Sequence, residues 1–132
     1  MTWEEFEREI DELASRLQHA PDLIVGIARG GIVPAVMLAK KLDVQDVFTI
    51  RVRKEGESRR ILGDVGVEIV GKNMLLVEDM LETGKSLAVA KRYFEERGAQ
   101  VKTACLYTMP QTEIVPDFAL RQTPTLAIFP WE

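Results

Sequence analysis

Residues Met74 to Ser86 constrain the fold of this chain more than any other stretch. They read Met74-Leu75-Leu76-Val77-Glu78-Asp79-Met80-Leu81-Glu82-Thr83-Gly84-Lys85-Ser86, and helical periodicity begins directly afterwards. An apolar run that ends in two carboxylates and a glycine-containing loop predicts a buried strand, a turn at its carboxyl end and then a helix. The start of that helix carries unpaired amides and the positive end of its dipole, about half an elementary charge, which suits a phosphate. Gly84 lets the backbone approach closely, and the Thr83 and Ser86 hydroxyls add donors. Glu78 and Asp79 would repel a bare phosphate but suit sugar hydroxyls or a magnesium ion. The stretch therefore predicts a seat for a phosphorylated sugar. Gly84-Lys85-Ser86 also matches the tail of the nucleotide-binding P-loop, but that motif needs a glycine five positions before Gly84, where Asp79 stands.

A second anion turn is legible earlier. Leu23-Ile24-Val25-Gly26-Ile27-Ala28 is continuously apolar, as in strands buried on both faces of a parallel sheet. Arg29-Gly30-Gly31 interrupts it, and Pro34 falls where the first turn of a helix tolerates proline, with Val36, Leu38, Ala39 and Leu42 continuing the apolar pattern. The glycines permit a tight turn with exposed amides, and Arg29 offers a fork of charged donors. In isolation Ala28 to Gly31 reads equally well as a structural turn; it gains meaning from the later stretch.

The rest of the chain supplies the frame. Thr2 and Glu5 form a capping box ahead of Trp3, Phe6, Ile10, Leu13 and Leu17 at helical spacing, and Pro21-Asp22 ends that helix. His19 is expected at the helix tail as a favourable cation, without a catalytic role. Val47 to Val52 alternates as a strand, and Arg53 to Arg60 is polar, fitting a solvated hairpin or a crossover loop. Val65 to Val70 alternates again, Gly71-Lys72-Asn73 turns, and the helix after Ser86 runs through Leu87, Ala90 and Phe94 to Gly98. Val101 to Tyr107 is expected to be a buried strand carrying Cys105, a lone and therefore unpaired thiol. Alternating strands and helices give an α/β domain over residues 1–132: a mainly parallel, twisted sheet flanked by helices, with its site at the carboxyl ends of the strands.

Composition narrows the partners. A chain of 132 residues with 46% hydrophobic content fits one domain, and its net charge of −4 offers no basic face for nucleic acid. No apolar run approaches the roughly 20 residues that span a bilayer, and Met1-Thr2-Trp3-Glu4-Glu5 has no leader character, so the expected setting is cytoplasmic, away from any membrane.

Apolar strand, acidic pair, spacer and Thr-Gly-x-Ser together resemble the signature of the type I phosphoribosyltransferases, which bind 5-phosphoribosyl 1-pyrophosphate (PRPP). Ile27-Ala28-Arg29-Gly30-Gly31-Ile32-Val33-Pro34, Pro116-Asp117-Phe118 and Phe129-Pro130-Trp131-Glu132 are similar to the short microbial xanthine-guanine (6-oxopurine) type. The resemblance implies PRPP contacts along Ala28, Arg29, Gly30 and Gly31, with an unusual, cis peptide before Arg29, and along Glu78, Asp79, Met80, Leu81, Glu82, Thr83, Gly84, Lys85 and Ser86. It implies magnesium as cofactor, held by Asp79 and largely through PRPP, and a mobile lid in the Arg53 to Arg60 region with Arg59 or Arg60 touching phosphate. It further implies a nucleobase as second substrate, pyrophosphate as product, and a homodimer or homotetramer. The C-terminal base-binding hood is reduced and departs from the family at three positions. Glu82 replaces the usual aspartate general base, Met109 stands where a lysine meets the 6-oxo group, and Leu126 stands where an aromatic ring stacks on the base. Trp131 is either a substitute stacking ring or a core or subunit-interface tryptophan. The implied activity is transfer of a phosphoribosyl group to a base, most naturally a purine, with Glu82 and Asp79 as catalytic residues. Met109 and Leu126 also fit a PRPP- or nucleotide-binding regulatory protein without turnover, and a ligand-free structural domain would require both anion turns to be accidental.

Overall fold

A computed structural model describes residues 1–132. Helix α1 spans Trp3–Ser15 and is capped by Thr2, whose hydroxyl accepts from the Glu5 amide at 3.1 Å. Strand β1 (Leu23–Ala28), helix α2 (Ile32–Leu42), strand β2 (Val47–Glu55) and strand β3 (Ser58–Leu62) follow. Then come β4 (Asn73–Val77), β5 (Met80–Leu81), α3 (Lys85–Glu96), β6 (Gln100–Ala104), β7 (Tyr107–Thr108) and β8 (Arg121–Gln122).

Five strands form the main sheet in the order β3-β2-β1-β4-β6, and three form a second sheet in the order β5-β7-β8. In the main sheet β2, β1, β4 and β6 run parallel, and β3 returns antiparallel on β2. Phe6, Ile10 and Leu13 of α1 pack with Ala35 and Leu38 of α2 over one face, while Leu87, Ala90 and Phe94 of α3 cover the other. Because both faces are covered, β1 and β4 from Met74 onward are continuously apolar rather than alternating.

The two sheets are joined by the same strands. Chain segments leave the main sheet at the ends of β4 and β6, cross two residues, and pair again as β5 and β7. The Glu78 amide donates to Ala104 O at 3.0 Å and the Leu106 amide to Asp79 O at 2.9 Å, closing the fork. Glu78 and Asp79 therefore occupy the crossing between the two sheets, beside Cys105 and Leu106.

Several expectations change. Val101 to Tyr107 is not one strand: β6 stops at Ala104, and buried Cys105 and Leu106 carry the chain into the second sheet. Val65 to Val70 forms no strand: Val65 and Ile69 are buried, but Val67, which alternation would place on the same face, is exposed. Side-chain carboxylates take the amides that a ladder would use: Asp64 accepts from Val65, and Glu68 accepts from Ile69 and Val70. Helix α1 ends at Ser15, so His19 lies beyond its tail. The polar stretch after Val52 is a hairpin, with β2 continuing to Glu55 and Gly56 at φ 62° making the two-residue turn into β3.

Candidate active site

β1 and β4 are parallel neighbours, paired from Leu23↔Met74 to Gly26↔Val77, so the turns that follow them open on the same edge of the sheet. After β1 the Ala28–Arg29 peptide is cis. The Gly31 amide then donates to Ile27 O at 2.8 Å, and Gly31 begins α2 without any side-chain cap, leaving its first-turn amides free of side-chain acceptors. A methyl group on Gly30 would lie 2.5–2.7 Å from the Asp79 carboxylate, and one on Gly31 would strike the Val77 carbonyl. Glycine at both positions is what lets the first turn lie directly against the acidic pair of the second.

The turn after β5 is held from two sides. Gly84 is the N-cap of α3 at φ 78°, again with no side-chain cap, and the Thr83 hydroxyl accepts from the Lys85 amide at 3.4 Å. From the other side the Glu113 amide donates to Thr83 O at 2.7 Å, and a methyl group on Gly84 would meet Thr112 Oγ1 and Ile114 Cγ2, each at 2.5 Å. Glu82 is exposed at the lip of this turn, with Met80 half-buried and Leu81 buried behind it; Ser86 is half-buried in the first turn of α3.

The crossing point is electrically unusual. Burial pushes the Glu78 carboxyl up to about 8, with the neighbouring Asp79 charge adding to it. Burial pushes Asp79 up to about 6; the Met80 amide, donating at 2.6 Å, opposes this and the nearby Glu132 carboxylate reinforces it. Burial likewise raises the Cys105 thiol, helped by Glu78 and Asp79, which makes it an inert packing residue. A crowded set of carboxyl groups short of positive charge is suited to hydroxyl donors or to a cation.

The base-side candidates are more scattered. Met109 is buried, with its amide donating to Leu81 O at 2.8 Å and its sulfur beside the Gln111 amide. Leu126 is 60% exposed. The Trp131 ring is engaged in a cluster, stacked on Phe129 at 4.9 Å and 7° and set edge-on to Phe6 at 4.9 Å. Arg59 and Arg60 bond within their own hairpin, to the Ser58 carbonyl at 3.0 Å and to the Glu55 carboxylate at 3.7 Å. Arg29, Gly30, Gly31, Glu78, Asp79 and the turn from Glu82 to Ser86 thus gather at one sheet edge, while Arg59, Arg60, Leu126 and Trp131 are held by other parts of the molecule.

Three contributors escape a reading of local motifs. Arg51 is the register partner of Ala28 and lines, with Ala28, Arg29 and Val52, a cavity of about 630 Å³ beside the first turn. Only the pairing of β2 on β1 reveals it. Glu57 at the hairpin tip reaches Lys85 Nζ at 2.7 Å, tying the hairpin to the second turn. Glu132, read only as part of a closing motif, acts on Asp79.

Comparison with known proteins agrees with this geometry. The family model described as phosphoribosyl transferase domain matches residues 2–132. The xanthine-guanine phosphoribosyltransferase of Idiomarina loihiensis is 30% identical, over the whole of this chain and 85% of that protein. The hypoxanthine-guanine phosphoribosyltransferase of Lactococcus lactis is 34% identical over 74% of this chain and 58% of its own length. Among solved structures, the purine phosphoribosyltransferase from Pyrococcus horikoshii superposes with a TM-score of 0.92 at 36% identity, covering 100% of this chain and 91% of that one.

Proposed function

This chain belongs to the phosphoribosyltransferase family and is a PRPP-dependent transferase, and from that premise we propose that it joins the ribose phosphate of PRPP to a ring nitrogen of a purine, releasing pyrophosphate, as a step of nucleotide salvage. The observation that carries the reading is the contact of Gly30 with the Asp79 carboxylate, which makes one pocket of two turns about fifty residues apart in sequence.

In this reading the Gly30 amide and the turn through Gly31, with Arg29 and Arg51, hold the pyrophosphate end of PRPP. The Glu82 to Ser86 turn and the start of α3 hold the 5-phosphate, which fixes the anomeric carbon between them. Glu78 and Asp79 accept from the ribose hydroxyls. The base nitrogen attacks the anomeric carbon as the bond to the pyrophosphate oxygen breaks, and that bond's electron pair leaves with pyrophosphate. Glu82, exposed beside the phosphate turn, takes the proton released from the base nitrogen. Met109 and the Leu126 segment flank the base, with Trp131 supporting that segment from the aromatic cluster.

The donor set fits a magnesium ion bound chiefly by substrate. No group of three or more His, Cys, Asp or Glu side chains converges into a cage, while Asp79 presents a half-buried carboxylate with Glu132 nearby. Magnesium characteristically takes one or two carboxylates and completes its shell with phosphate oxygens and water. Held by Asp79 and the diphosphate, it would neutralise the charge that develops on the leaving group. A dimer or tetramer would cover exposed apolar residues such as Trp3, Val36 and Val70, and the mass in solution tests that.

Incubation with PRPP, magnesium and hypoxanthine, guanine, xanthine, adenine, uracil or orotate tests the function. The expected result is a purine nucleoside monophosphate and an equal amount of pyrophosphate. PRPP binding without product from any base would replace the enzyme with a sensor of PRPP.

A further inference from the structure

The site as described leaves unused a sheltered charged network that joins α1 to the second sheet. The Tyr107 hydroxyl donates to Glu9 Oε1 at 2.6 Å, and Arg121 Nη2 donates to the same oxygen at 2.6 Å, with Nη1 at 3.4 Å from Oε2. Arg121 also lies over the Tyr107 ring at 4.6 Å. The Glu9 side chain is only 15% exposed and Tyr107 only 2%. A sheltered carboxylate with a forked guanidinium and a phenol on it is a far stronger tie than the exposed pairs elsewhere on this surface.

What the network holds is specific. Tyr107 and Arg121 are cross-strand partners in β7 and β8, and Tyr107 is also the register partner of Met80 in β5. Glu9 of α1 therefore grips the central strand β7 and the edge strand β8 of the second sheet at once. Arg16, at the end of α1, adds bonds to the Ala119 and Leu120 carbonyls just before β8. β7 delivers Met109, and β8 delivers the segment containing Leu126, whose neighbour Ala127 donates to the Met80 sulfur. With Met109 and Leu126 both apolar, main-chain groups of these two segments must carry much of the polar recognition of a base. Main-chain groups discriminate only when they are held still. The phosphate turn has further anchors of its own, in α3 and in Thr112 to Ile114.

We propose that Glu9, acting through Tyr107 and Arg121, is a positioning residue for the base-binding half of the site. The inference rests on the transferase reading above.

Glu9→Gln, which keeps the shape and removes the charge, tests it together with Arg121→Gln, a change at a half-exposed side chain that leaves the core intact. KM for the purine rises about tenfold in both variants, while KM for PRPP stays within about twofold. Tyr107→Phe, which retains the ring, gives a smaller rise in the same direction. Amide hydrogen exchange supplies a readout that needs no turnover: in both variants it quickens at residues 107–109 and 121–127 and is unchanged at residues 83–88. Equal changes in the two KM values, no change in either, or exchange that rises equally in both segments or in neither would overturn the proposal. Absence of nucleotide from the unmodified protein with every base would remove the transferase reading alone, and the exchange comparison would still decide the role of Glu9.

Discussion

The turns after β1 and β5 are each followed at once by a helix of eleven or twelve residues, whereas Met109 and Leu126 hang from a sheet whose strands are two residues long. The phosphate half draws its geometry from local order: strand end, glycine, uncapped helix start. The base half draws its geometry from contacts that span the chain, with Glu9 reaching residues 98 and 112 positions away. A polyanion can be gripped by any well-placed set of amides, so a local motif suffices for it. A neutral ring has to be recognised by the positions of a few groups relative to each other, and that requires a scaffold.

The sharpest way to break this division is at the crossing point between the two sheets. Asp79→Asn removes the carboxylate that faces Gly30, and kcat/KM falls by about a hundredfold or more in steady-state assays. Because burial makes the ionised Asp79 costly in the free protein, thermal melting of the variant stays level or rises. A loss of activity accompanied by unfolding would move Asp79 from chemistry to structure.

Gly84→Ala is the next largest effect and separates the halves. The added carbon meets Thr112 and Ile114 at 2.5 Å and the backbone must stay at φ 78°, so unfolding free energy falls by about 1–3 kcal/mol. KM for PRPP rises about tenfold and KM for the base changes much less, since β7 and β8 are untouched.

The halves also titrate with opposite sign. Glu78 and Asp79 have folded values raised to about 8 and about 6, so the ligand-free fold binds more protons than the unfolded chain and loses stability as pH climbs from the ordinary carboxylate range towards 8. For Glu9, burial pulls upward but the bonds from Arg121 and Tyr107 outweigh it, and its value is lowered. Its contribution is therefore present above the ordinary glutamate value and disappears as pH falls through the lower folded one. Denaturant unfolding across pH checks both: Asp79→Asn flattens the part of the decline that ends near pH 6, and Glu9→Gln flattens the loss on the acid side.

The smallest effect belongs to the surface contact between the hairpin and the phosphate turn. Glu57 is 94% exposed, so solvent screens its 2.7 Å contact with Lys85 and Glu57→Gln leaves the denaturant midpoint unchanged.

The same contrast explains which parts of the molecule could be read from sequence. β1, β4, α1, α2 and α3 follow from hydrophobic period, Thr2, Pro34 and Gly98, because each is fixed by residues within its own span. Val65 to Val70 has the right period for a strand, yet Asp64 and Glu68 divert its amides, a competition that period does not register. The break of β6 after Ala104 follows from pairing of Cys105 with Phe118 and of Leu106 with Asp79, both distant in the chain. The anion turns were legible for their glycines and hydroxyls. Arg51, Glu57 and Glu132 were not, since each enters the site only through strand register or chain folding.

The central claim is that one PRPP molecule bridges the two turns, and a crystal structure of the protein with PRPP and magnesium addresses it directly. The account predicts density running from Arg29 and the Gly30 amide, past the Asp79 carboxylate, to the Thr83 to Ser86 turn. Ligand density seated on one turn alone, or away from both, would contradict it.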